Sequence, residues 1–191
     1  DDPSFVLYTA TMGALFDHHP VRESVAGTVE SIASITPQTL YDCRRAFYVP
    51  ANMALCVVGD VDPEYVAETA ARMKAPERLS AAAPDYGERE GLEPITRRAE
   101  RGMDVSDPMF IAAAKLSTDL GRGDEALRLA TVGSLAARCL LGAGSGFYTS
   151  LYAEGMLRGD FFRDVSPLAG TLLFECGGTT SQPEQVFDRL C

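Results

Sequence analysis

The stretch "ITPQTLYDCRRAFYVPANMALCVVGDVDPEYV", residues 35–66, sets the fold class, because the period of its apolar residues changes along its length. Thr36 followed by Pro37 is a helix start, with a hydroxyl placed to cap and a proline in the first turn; Leu40, Cys43 and Phe47 then repeat on one face. Pro50 ends that helix. "MALCVVGD", residues 53–60, is a short continuous apolar run closed by Gly59 and Asp60, and reads as a buried strand. Asp62-Pro63 opens another helix with Val66, Ala70 and Met73 on one stripe. Asp62 is therefore read as an N-cap, with Glu64 near the positive end of the helix dipole, and the Asp60/Asp62 pair is not read as a metal site.

Working outward, Phe5, Tyr8, Met12 and Leu15 sit at helical spacing in residues 4–16, ahead of His18-His19-Pro20. These are the chain's two histidines. A zinc site needs three or four converging ligands, and adjacent histidines diverge on a strand or a helix; no H-x-x-x-H, H-x-x-E-H or cysteine cluster completes a set. The pair is read as a helix-ending turn. From Ala75 to Pro94 the chain turns to Pro, Ala, Gly and charge and loses hydrophobic periodicity, the mark of a solvated linker.

Beyond it, "MFIAAAKL" reads as a strand, residues 124–141 as a long helix, 147–154 as a short one, "TLLFECGG" as another buried strand, and 183–190 as a helix capped by Ser181. The elements are segregated rather than strictly alternating, so an α+β fold is expected. "CVVGDVDPEYV" and "FECGGTTSQPEQV" echo one another across the linker, each a strand ending in Gly that leads into a proline-started helix.

The chain has 191 residues, 46% of them hydrophobic, enough for one large or two modest domains. A net charge of −10 with scattered basic residues excludes a nucleic-acid surface, and the apolar runs fall short of the roughly 18 residues of a membrane helix. Neither nucleic acid nor membrane is expected as a partner. The five cysteines are odd in number, lack a C-x-x-C and sit partly in apolar runs, which suits a reducing, cytoplasmic setting. Cys56, inside its apolar run, is expected to be buried and inert. The chain opens without Met on Asp1-Asp2-Pro3 and stops at Cys191 inside a young helix, so it is expected to be a piece of a longer protein.

"LLGAGSGFYTSLY", residues 140–152, places Gly142, Gly144 and Gly146 between two helices. It lacks the Lys-[Ser/Thr] ending of a P-loop and follows a helix rather than a strand, so a phosphate site is a poor reading. An inter-helix turn and a peptide-contacting loop both remain.

"HPVRESVAGTVESIASITPQTLYDCRRAFYVPANMALCVVGDVDPEYV" resembles the end of the catalytic half-domain in the insulinase/pitrilysin family of zinc peptidases, in its G-T-x-E-S-I, F-Y-x-P-x-N-M and V-V-G-D-V-D segments. "LLGAGSGFYTSLYAEGML" resembles the same family's L-G-G-x-S-S-x-L-Y segment. The resemblance covers nearly the whole chain. It implies α+β, metallohydrolase-like half-domains with a mixed sheet and helices packed on one side, present as a truncated piece. Residues 1–75 would be the C-terminal part of the catalytic-type half-domain, 76–94 the linker, and 95–191 the N-terminal part of a second, non-catalytic half-domain.

In the family an inverted H-x-x-E-H motif binds zinc and activates water. That motif is not in this sequence, so the resemblance implies no catalytic residue and no metal ligand here, with zinc expected in the parent chain. His18 and His19 do not carry over as ligands. The Arg and Tyr that some members lend to the active site correspond to Tyr152 and to Arg158 or a neighbour, a departure from that role. Implied instead is a non-catalytic part that helps enclose and bind peptide, with Gly142, Gly144, Ser145, Gly146 and Phe147 as the contact loop. The partners implied are a peptide or small protein substrate, the missing N-terminal catalytic segment, and a homologous partner subunit or a second copy. The alternative from the same resemblance is a non-enzymatic member acting as a structural or processing-enhancing subunit.

Overall fold

The computed structural model describes residues 2–72, 80, 82–83, 85, 87–121, 123–168 and 170–191. The chain divides into two compact units, Asp1–Val25 with Tyr86–Cys191, and Ala26–Asp85. Part of the linker segment, and Met73 at the end of its predicted stripe, lie outside the described residues.

In the larger unit α1 (Pro3–Leu15) starts on Asp2, whose carboxylate accepts the Ser4 N–H at 2.8 Å, and ends at Phe16. Three strands follow later: β1 (Met109–Ser117), β2 (Arg158–Leu168) and β3 (Thr171–Thr179), in the order β1-β3-β2. Between β1 and β2 run α5 (Asp124–Leu141) and α6 (Gly146–Ala153), and α7 (Pro183–Leu190) follows β3. The predicted ends of α5 are reproduced. Ser181 does not cap α7; the Gln182 N–H is taken instead by the Thr180 hydroxyl at 3.0 Å.

The α+β class holds, and the sheet corrects two details. It is antiparallel throughout rather than mixed, because β3 lies between β1 and β2 and pairs antiparallel with both. β1 and β2 run in the same direction, but the hairpin that pairs Leu168 with Thr171 puts β3 in the slot where a parallel contact would have formed.

Nor do the helices keep to one side. Successive side chains of β3 point to opposite faces: Leu172 joins Leu120, Ala130, Ala137 and Val165 under α5, while Leu173 joins Met12, Leu15 and Phe16 under α1. A third cluster, Ala112, Leu151, Leu157, Phe161, Cys176 and Val186, lies on the α5 side beneath α6 and α7. Each such large apolar side chain contributes about 1.5–3 kcal/mol by leaving water. β2 has no counterpart in the sequence reading. It alternates Phe161, Arg163 and Val165 toward the α5 face with exposed Phe162 and Asp164 on the other, and its charges hide that period.

The unit Ala26–Asp85 is built from local signals. Thr28 and Ser31 form a capping box at α2 (Val29–Ala33), and Thr36 and Thr39 another at α3 (Pro37–Phe47). Asp62 accepts the Glu64 N–H at 2.9 Å and starts α4 (Pro63–Ala71), as its sequence predicts. Residues 53–58 do not form the predicted buried strand: they enter no ladder, and Leu55 and Val58 are 66% and 93% exposed. An apolar run becomes a strand only when other strands take its N–H and C=O groups, and among the described residues none does. Cys56 is correspondingly exposed. The internal echo is therefore realised once, as β3 and α7.

Candidate functional site

The glycine-bearing loop joins α5 to α6. Gly142 caps α5, donating its N–H to the Arg138 carbonyl at 2.9 Å, and a Cβ there would lie 2.2 Å from that oxygen, so only glycine fits. The Ser145 N–H returns to the Gly142 carbonyl at 2.8 Å, and the Ser145 hydroxyl accepts the Tyr148 N–H at 3.1 Å as the N-cap of α6. Phe147 points into the core, its ring 5.8 Å from Phe161. Gly144 and Gly146 differ from all three. Both are exposed, neither has a positive φ, and a Cβ on either would meet nothing within 4 Å.

The structure thus brings the five loop residues together but divides their tasks. Gly142, Ser145 and Phe147 serve the helix ends and the core, and Gly144 and Gly146 leave open backbone that nothing inside the chain requires to be glycine. Further along α6 the exposed Tyr152 stacks on Tyr148 with centroids 6.1 Å apart. Arg158, at the start of β2, pairs with Asp107 at 3.0 Å.

A second constellation surrounds the histidines. The backbone N–H groups of Asp17, His18 and His19 converge on one carboxylate, Glu90, at 3.1, 2.6 and 2.7 Å. The buried Lys115 ammonium lies 3.5 Å from the same carboxylate, donates to the Leu15 carbonyl at 2.7 Å and sits 5.1 Å over the Phe16 ring. Burial pushes the Glu90 carboxyl up, but three N–H donors and the Lys115 charge outweigh it and hold the group at about 2. His19 is buried against Phe16, and its Nδ1 accepts the Val21 N–H at 3.0 Å. Burial holds its imidazole below the ordinary value, against the pull of Glu90.

The turn reading of His18-His19 therefore stands, with an anchor that the sequence reading missed. Glu90 belongs to the segment read as solvated charge, yet its side chain is 5% exposed. No local signal marks it, because its donors lie more than 70 residues away.

Among the described residues no group of three or more His, Cys, Asp or Glu side chains could hold a metal ion. The described residues do not fit a zinc centre.

The family model described as the peptidase M16 inactive domain matches residues 34–101. The chain is 32% identical over 190 residues to the uncharacterized zinc protease YmfH of Bacillus subtilis, covering 97% of this chain and 44% of that protein. It is 39% identical over 62 residues to the uncharacterized zinc protease ML0855 of Mycobacterium leprae, covering 32% of this chain and 14% of that one. Among solved structures, an M16-like peptidase from Alicyclobacillus acidocaldarius superposes with a TM-score of 0.89 at 28% identity, over 100% of this chain and 45% of that chain. The peptidase M16 inactive domain from Pseudomonas fluorescens shares the fold, with a TM-score of 0.73 at 20% identity over 97% of this chain and 45% of that one. The chain thus spans less than half the length of these proteins.

Proposed function

The chain is homologous to the M16, insulinase-type zinc proteases along nearly its whole length, and from that premise we propose that it is a non-catalytic region of a zinc-dependent peptidase that helps enclose and bind peptide substrate. The observation that carries this reading is the open backbone at Gly144 and Gly146. Two glycines in a loop held between two helix ends let an extended peptide approach the main chain whatever its sequence, which suits sequence-tolerant peptide binding. The zinc and the water-activating glutamate belong to the remainder of the parent, in the reducing, cytoplasmic setting that five free thiols suit.

The test pairs metal content with peptide binding. The parent is expected to hold about one zinc per chain and the 191-residue chain none. A fluorescein-labelled, unstructured decapeptide of zero net charge should bind the chain, and Gly144→Val with Gly146→Val should weaken it about tenfold, the equivalent of one or two backbone hydrogen bonds. The melting temperature should not change. Unchanged peptide affinity in the double variant would sink the assignment of this loop.

A further inference from the structure

The segment that leads into β1 is lightly engaged in backbone pairing. The N–H groups of Ile95 and Thr96 both reach the Ala14 carbonyl, at 2.9 and 3.1 Å, and so fasten the segment to α1. From residue 97 to residue 107, no backbone–backbone hydrogen bond is formed among the described residues. Apart from the Glu100 carbonyl, which accepts from the Arg101 side chain, the main chain of this coil has N–H and C=O groups that an incoming extended segment could pair with.

Between this segment and α1 lies a groove of about 720 Å³. Its apolar wall is the face of α1 that carries Phe5, Val6, Ala10 and Gly13, with Phe5 41% exposed. Gly13 lies in the interior of α1, where glycine costs about 1 kcal/mol relative to alanine, yet a Cβ there would meet nothing within 4 Å. The chain's own packing does not call for that glycine, and its effect is to deepen the groove.

The charge of the groove runs against that of the molecule. In a chain of net charge −10, the lining holds Arg22, Arg98 and Arg101 against the single acid Glu100. Arg98 is shared between Glu100 and Glu184, and Arg22 donates to the Asp17 carbonyl and lies 3.8 and 3.9 Å from the Asp17 and Glu23 carboxylates. Arg101 donates to the Glu100 carbonyl and has no carboxylate partner among the described residues.

We propose that this groove takes an acidic peptide segment in extended form, which pairs its backbone with residues 97–101, lays apolar side chains on α1 and sets carboxylates against Arg22, Arg98 and Arg101. At about 3.3 Å per residue the five residues span roughly 17 Å, room for a pentapeptide. The mode is strand addition, in which main-chain hydrogen bonds supply affinity and alternate side chains supply selectivity. It does not depend on the peptidase reading, since it uses neither the glycine loop nor a metal.

Three fluorescein-labelled decapeptides test it on the 191-residue chain: one alternating Glu and Val, its Lys-Val counterpart, and the Glu-Val peptide with alternate amides N-methylated. The Glu-Val peptide should bind, and at least about tenfold more tightly than either of the others. Its affinity should fall when salt is raised from about 50 to about 500 mM, because the arginines are exposed and screened. Arg101→Glu and Gly13→Phe should each weaken it about tenfold without lowering the melting temperature, the first by charge and the second by filling the groove. Equal binding of the Lys-Val peptide, indifference to N-methylation, or indifference to both groove variants would overturn the proposal, as would no binding at all.

Discussion

The two units of this chain carry apolar sequence of similar kind and use it differently. The larger closes three buried clusters around its sheet. In the unit Ala26–Asp85 the described residues bury Val49 alone, while Leu40, Phe47, Leu55, Val58 and Tyr65 lie exposed. Helices form in both, because capping hydroxyls, a first-turn proline and basic last turns such as Arg44-Arg45 act within a few residues. A core forms only where strands from distant parts of the chain meet. The difference separates what local rules can build from what needs long-range pairing.

The sharpest way to break the better-built unit is Glu90→Ala. It leaves three N–H groups unpaired and the Lys115 ammonium buried without its counter-ion, for an expected loss of about 3–5 kcal/mol in urea unfolding monitored at β3. Acid should do the same more gently. Because the folded Glu90 titrates at about 2, below its ordinary 4.5, its contribution is complete above pH 4.5 and is lost as pH falls toward 2. That amounts to roughly 3 kcal/mol, and Glu90→Gln should flatten this part of the stability–pH curve.

Next is Gly177→Ala in β3, whose Cβ would stand 2.1 Å from the Phe110 carbonyl oxygen and 2.9 Å from the Phe162 ring. Strand β1 has to move, so a loss of about 3 kcal/mol is expected in thermal unfolding. In the other unit, Thr36→Ala removes the cap of α3 and should cost about 1 kcal/mol. Hydrogen exchange should show the loss in α3 amides and not in β3. If β3 amides respond equally, the two units do not unfold independently.

The smallest effect has the opposite sign. Burial, and then the facing Asp164, raise the Glu175 carboxyl above its ordinary range, so its stability contribution falls as pH rises through that range. Glu175→Gln should therefore raise the melting temperature at neutral pH, by the equivalent of about 0.2–1 kcal/mol for a relieved cross-strand like-charge pair.

What the sequence made legible follows the same division. Thr36-Pro37, Asp62-Pro63 and the stripe from Asp124 to Leu141 announce their helices because each signal and its effect share a few residues. Residues 53–58 and β2 fail in opposite directions. The first has the composition of a strand and no ladder partner among the described residues, and the second has partners but a composition broken by Gly159, Arg163, Asp164 and Pro167. At the glycine loop the composition was visible, but which glycines are fixed by packing was not. Gly142 is fixed by a carbonyl four residues back, and Gly144 and Gly146 show their freedom only as empty space. Glu90 was invisible for want of any nearby donor.

The contacts of Glu90 join positions 71 to 73 residues apart, and so close a loop at the neck of the excursion that holds residues 26–85. Closing a free loop of that length costs on the order of 4 kcal/mol in chain entropy. While the carboxylate keeps its donors, that entropy has already been surrendered by the larger unit. The excursion can then melt and re-form as a tethered loop, and one ionised side chain outside it shortens its search for its own fold.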